Sequence, residues 1–260
     1  MKKKCSGLVL IAALLLVAVS CKKQTDTTFK ATDPASYFMP LQTGKYITYR
    51  LDSLTFYYYG LNDTVTSYLA KDSVEGPIED ALGRPAWRVV RYLNDTTGNG
   101  PWTPAETYMV IPTSSTVEVV ENNLHFIKLA YPVTEGSTWN GNSYLSKNPY
   151  QDLFLFSATD NINAQLWNFA YQQVNKPFSV NNKMYDSTLS VLEVADSSNV
   201  PIVDPSTFAS KTYWSDVYAK NIGLIYRRTQ LWEYQAPSAD GLQSSYKLGF
   251  ELTLAIIDHN

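Results

Sequence analysis

The sequence predicts a mainly β protein, an antiparallel meander that forms a curved sheet, a half-barrel or a barrel, with few short helices. Three observations carry this expectation. The chain holds 19 Tyr and 6 Trp among 260 residues, more rings than a helical bundle of this length needs, and aromatic and β-branched residues suit pleated surfaces. Segments in which apolar and polar residues alternate recur along most of the chain. Short clusters of Asn, Asp, Gly and Pro separate them, residues that turn a chain sharply.

The first residues stand apart from this pattern. Lys2, Lys3 and Lys4 precede an uncharged run from Leu8 to Val19, and the small residues Ala18 and Ser20 lead into Cys21. A basic head, an apolar stretch too short for a permanent span and a small-residue cleavage site make a signal peptide over 1–20. The stretch "LVAVSCKKQTD" resembles a bacterial lipoprotein signal, with Ala18 where Leu is usual. The resemblance implies cleavage after Ser20 and lipidation of Cys21, and more than one acyl chain on that residue makes a stable membrane anchor. The only other cysteine, Cys5, lies in the part removed, so the mature chain has no internal disulfide, cysteine zinc site or cysteine nucleophile. Residues 21–36 then read as a lipidated cysteine and flexible tether, too poor in apolar side chains to offset the entropy of ordering. A single β-rich domain is expected over 37–260, since no linker divides it.

Within that domain, strand signals run over 45–59, 64–75, 86–93, 105–111, 116–121, 124–131, 166–175, 187–195 and 222–235. Turn chemistry parts them at "GLNDT", "NDTTGNGP", "ENN" and "NNK". The clearest strand is the last: Tyr246, Leu248, Phe250, Leu252, Leu254 and Ile256 alternate with Lys247, Gly249, Glu251 and Thr253. Such alternation gives one buried and one mostly wet face, typical of antiparallel sheets. That makes about ten strands. Two segments read as short helices: 157–167, with Thr159 or Asp160 as cap, and 205–219.

Removing residues 1–20, which include three lysines, leaves 240 residues and takes the formal charge from −3 to −6. A mildly acidic chain without like-charge runs excludes nucleic acid as a partner and leaves the N-terminal lipid as the expected membrane contact. No cofactor is implied. His125 lies within a strand and His259 near the end, which gives no metal constellation and no catalytic relay. "SSYK", Ser244 to Lys247, matches a Ser-x-x-Lys pattern that works only on a helix, and here it starts a strand, so it reads as chance. Glu118, Glu193 and Glu251 lie in strands and read as solvated outer-face residues; two of them converging in a cleft would be needed for glycoside hydrolysis. No residue is assigned as catalytic.

The stretches "YFMPLQTGKYITYRLDS", "YWSDVYAKNIGLIYRRTQLWEYQ" and "LAIIDHN" resemble a group of uncharacterised lipoproteins of Bacteroidota-type bacteria. The phrase "VYAKNIGLIY" is also similar, more distantly, to the closing strands of lipoprotein-carrier-like half-barrels, which implies a curved sheet able to hold an apolar guest. Gly44 and Gly223 each stand where a turn feeds a strand, places for positive φ or close backbone approach.

Together these readings give a lipid-anchored protein of the cell envelope, most readily the outer membrane, that binds an apolar or glycan ligand without catalysis. An apolar guest would lie on a concave face that includes Leu248, Phe250, Leu252 and Leu254. A glycan would instead meet an exposed aromatic platform built from Trp139, Trp167, Trp214 and Trp232. The alternatives are a carboxylate-dependent hydrolase, which needs paired acids with one pKa raised, and a structural component of a surface complex.

Overall fold

The computed structural model describes residues 32–58, 60–150 and 162–260. They form one antiparallel sheet of twelve strands. The strands are β1 (Tyr46–Tyr57), β2 (Asn62–Glu79), β3 (Pro85–Asn94), β4 (Thr103–Pro112), β5 (Thr116–Glu121) and β6 (Leu124–Ala130), followed by β7 (Thr138–Trp139), β8 (Phe169–Val180), β9 (Lys183–Ser198), β10 (Ala209–Ala219), β11 (Gly223–Gln235) and β12 (Tyr246–His259). The sites of lipidation at Cys21 and of signal cleavage, most of the tether and the cap residues Thr159 and Asp160 lie outside the described residues.

Each strand pairs with its sequence neighbours except that β6 does not pair with β7, and β1 also pairs with β12 over Ile47–Thr55. The chain's first and last strands therefore meet in mid-sheet, and the two sheet edges, β6 and β7, are consecutive in sequence. Those edges are drawn together without a regular ladder. The Ile127 N–H donates to the Gly141 carbonyl at 2.8 Å, and the Trp139 indole N–H donates to the Ile127 carbonyl at 2.8 Å. The Tyr171 hydroxyl accepts from the Ala130 N–H at 2.9 Å and donates to its carbonyl at 2.7 Å. Of the three forms expected from sequence, the sheet is thus a nearly closed barrel, with a seam between β6 and β7.

One end of the barrel is plugged. Residues 34–37 make a 3-10 turn capped by Asp33, whose carboxylate accepts the Ala35 N–H at 2.9 Å. Tyr37 is fully buried, and the Ser36 carbonyl accepts from the Asn221 N–H at 2.7 Å. Gly223 fits beneath this plug because it has no Cβ. Its φ is +115°, and a Cβ there would lie 2.8 Å from the Met39 nitrogen. The β1–β2 turn and the loops 95–102, 199–208 and 236–245 cluster at the opposite, open end.

The segment 205–219, read from sequence as a helix, contains β10 instead, paired on both sides by β9 and β11. Its aromatic and β-branched residues pack better on a pleated sheet than on a short isolated helix. Ser206 does make a local turn contact, its N–H donating to the Asp204 carboxylate at 2.9 Å, but this ends a loop and caps no helix. In the described part of the other helix candidate only Ala164–Leu166 form a 3-10 turn. The hairpin β8–β9 carries three register shifts and curls back, so that the Asn181 amide donates to the Ile256 carbonyl at 2.9 Å. Only Phe169 and Ala170 of β8 pair with β7; beyond them its edge carries Lys176 and Pro177, residues that oppose pairing with a foreign strand.

Candidate functional site

The barrel interior is set by strand parity, and the parity brings charges inward in complementary pairs. Asp72 on β2 stands directly opposite Arg91 on β3, and Arg91 stands opposite Glu106 on β4. Asp216 on β10 stands opposite Arg227 on β11. Cross-strand neighbours on one face are close enough to interact without further chain movement. Arg91 forks onto Asp72 with contacts of 2.7 and 2.8 Å, and Arg227 forks onto Asp216 at 2.7 and 2.6 Å. Tyr108 and Tyr218 add hydroxyl donors to these two carboxylates at 3.0 and 2.9 Å. Lys128 on β6 crosses to Glu193 on β9 at 2.8 Å.

Asp72, Arg91, Tyr108, Lys128, Tyr218 and Arg227 line a small cavity with Phe38, Met39, Ile47, Tyr49 and Leu224, of about 40 Å³. That is room for a water molecule or two and no more. Burial raises the Tyr49, Tyr108 and Tyr218 phenols, with nearby Asp72 or Asp216 adding to it. Burial also opposes the ionised Asp216, but Arg227 outweighs it and holds that carboxyl low. Glu106 goes the other way. Burial and the neighbouring Glu121 push it up to about 7.

Toward the open end an aromatic layer closes this charged chamber. Trp214 stacks on Tyr150 with ring centroids 5.4 Å apart, and meets Trp167 at 5.2 Å and Phe250 at 6.1 Å. Beyond it lies a cleft of about 390 Å³ lined by Trp167, Phe208 and Leu231 together with Asp196, Ser210, Thr212 and Glu233. The register places Asp196 opposite Thr212 and Ser210 opposite Glu233, so hydroxyl and carboxylate groups alternate along one face beside the rings.

The four tryptophans singled out in the sequence do not form one platform. Trp139 works at the seam, against Phe169 and Tyr171. Trp167 and Trp214 touch in the aromatic layer, and Trp167 and Trp232 both border the cleft. Trp232 lies on the other face of β11 with Ala209 and Tyr234, beneath the Lys247 ammonium at 5.0 Å; its buried indole N–H has no hydrogen-bond partner. Leu252, Leu254 and Phe250, expected on an open concave face, pack into the closed core instead. Glu118 and Glu193 are not solvated outer-face residues: both are buried, Glu118 held by Arg84 at 3.0 Å and His125 at 2.9 Å. Glu251 is half-buried. His125 stacks on Tyr144 at 4.2 Å. Among the described residues no three His, Cys, Asp or Glu side chains come together in a metal-binding group.

Sequence reasoning missed the charged interior. A signal was present: Arg91 falls between Val89 and Leu93, Asp72 between Ala70 and Val74, and Asp216 between Trp214 and Tyr218 on their strand faces, and a charge at an inward position needs a partner.

No protein-family model matches the chain, and no match to a curated protein was found. Two solved structures from Bacteroidetes are similar to it. One, from Bacteroides fragilis, is described as an exported protein with a YmcC-like fold; it is 10% identical with a TM-score of 0.32, covering 86% of this chain and 100% of its own. The other, from Parabacteroides distasonis, is described as a lipoprotein; it is 10% identical with a TM-score of 0.33, covering 86% of this chain and 99% of its own. At these scores the likeness assigns this chain no activity.

Proposed function

We propose that this chain is a lipid-anchored protein of the cell envelope, held to the outer membrane through Cys21 and the tether 21–36, whose single domain over 37–260 binds a glycan-type ligand at its open end without catalysis. The contrast between two of its cavities supports this, and of three larger ones, about 320, 380 and 390 Å³, the last adjoins the aromatic layer through Trp167. The inner one is about 40 Å³ and ringed by ion pairs, hostile to an acyl chain in both volume and polarity. The outer one is about 390 Å³, within the range of small-ligand sites, and combines aromatic rings with hydroxyl and carboxylate groups. Apolar C–H faces of a sugar would pack on Phe208 and Trp167, while its hydroxyls donate to Asp196 and Glu233. No catalytic role is proposed for Glu118 or Glu193, since separate cations hold them.

The test is titration calorimetry of the full chain in detergent with envelope oligosaccharides, repeated with Phe208→Ala and Thr212→Val. Saturable binding weakened about tenfold or more by either change, corresponding to ~1.4 kcal/mol, is expected. Binding unaltered by both variants, or no binding to any oligosaccharide, contradicts the assignment. A second reading, a component of a surface complex, draws on Tyr58, Leu61 and Leu242, which stand 69%, 55% and 88% exposed in open-end turns. It predicts capture of a protein partner that Tyr58→Ser abolishes.

A further inference from the structure

The charged chamber contains more carboxylates than cations. Lining it or interacting with the groups that do are Asp72 from β2, Arg91 from β3, Glu106 and Tyr108 from β4, Glu121 from β5, Lys128 from β6, Glu193 from β9, Asp216 and Tyr218 from β10, and Arg227 from β11. Asp216 takes Arg227, Glu193 takes Lys128 and Asp72 takes the fork of Arg91. What is left is the pair Glu106 and Glu121. Both lean on a single nitrogen already belonging to the Arg91–Asp72 fork, Arg91 Nη1, at 3.4 and 3.5 Å. The other oxygen of Glu106, Oε1, is buried with no hydrogen-bond partner. Two carboxylates so placed, with one shared and partly spent cation, cannot both stay ionised without large repulsion. A proton on Glu106 shared with Glu121 removes the repulsion and gives Glu106 a hydrogen-bond partner.

We propose that Glu106 and Glu121 form a proton-sharing pair in the barrel wall, occupied by one proton at mildly acidic pH and emptied above neutrality, so that β4 and β5 hold the barrel more tightly in acid than in alkali. The electrostatics run the same way. Burial and Glu121 raise the Glu106 carboxyl to about 7, while Arg91, Arg227 and Lys128 overcome burial to hold Glu121 low. In the pair, then, Glu106 carries the proton and Glu121 accepts from it. Loss of that proton places a second negative charge beside Glu121, in the wall next to the seam strand β6. The barrel would sense alkalinity at the strands least secured by regular pairing.

The direct test is a carboxyl-carbon NMR titration of the full chain in detergent, combined with thermal unfolding between about pH 5 and pH 8 for the wild type and Glu106→Gln. Glu106 titrating near neutrality is expected, with a wild-type unfolding midpoint that falls as pH rises and a Glu106→Gln midpoint that falls less steeply, since burial also raises the Glu193 carboxyl. If Glu106 titrates below about 5.5, within the ordinary range, the proposal is overturned. Equal pH slopes in wild type and a folded Glu106→Gln overturn it as well. Should Glu106→Gln fail to fold, the NMR titration of the wild type decides alone.

Discussion

Asp216 and Arg227 show what a charge inside a barrel demands. Asp216 is fully buried, and its fork to Arg227 and the Tyr218 hydroxyl satisfies both partners. Removing one member leaves the other charged and unpaired in a dry setting. Asp216→Ala is therefore expected to destabilise the protein by about 3–5 kcal/mol, whereas the double change Asp216→Leu with Arg227→Met is expected to cost far less. Urea unfolding of the three proteins measures the difference; equal losses in single and double variants would show that the pair is not acting as a unit. Gly223→Ala tests backbone fit in the same assay, since positive φ and the Met39 nitrogen both oppose a Cβ; it should cost more than the ~1 kcal/mol typical of a point substitution. The need for glycine at positions 44 and 223 was legible in the sequence from their place before strands, and both have positive φ. The partners of Asp216 were not, because a lone charge in a strand does not say which strand stands beside it.

At the scale of elements the seam is the point of interest. β7 has only two residues, and closure relies on side chains reaching across, with Tyr171 supplying a donor and an acceptor to one residue of β6. Tyr171→Phe leaves the Ala130 N–H and carbonyl without that partner. A loss of about 1–3 kcal/mol is expected, together with faster amide exchange in β6 and β7 than in β11 and β12; uniform exchange across the sheet would contradict a weak seam. The alternating strands were legible in advance, most clearly β12, where six apolar residues keep strict period. β10 was not, because its polar and aromatic residues mask alternation until β9 and β11 supply both neighbours. β7 is too short for any periodicity to register. That β1 would pair with β12, placing the seam in mid-chain, is a long-range choice on which local pattern is silent.

Over residues 32–260 the described part of the barrel combines a plugged end, a charged chamber, an aromatic layer and an open cleft. Its pH response follows from the acids of the chamber. Glu106, raised from 4.5 to about 7, binds its proton more firmly when folded than unfolded, so stability should fall as pH rises from about 4.5 to 7 and level off above. Asp216 and Glu121 are held low; they contribute stability above their unfolded pKa values that is lost in stronger acid. The unfolding midpoint is therefore expected to peak in mildly acidic solution, and a peak above pH 7 would contradict this balance. Composition and alternation made the β architecture legible at this scale, but not the barrel's contents: an inward lysine and an outward lysine look alike in sequence. The proposed function requires a chamber too small for a guest and a cleft that receives it. Amide and indole NMR shifts during titration with envelope oligosaccharides test this most directly. Saturable shifts at Trp167, Phe208, Ser210 and Thr212, with Tyr49 and Tyr218 unmoved, are predicted; shifts confined to the chamber, or none with any oligosaccharide, would contradict it.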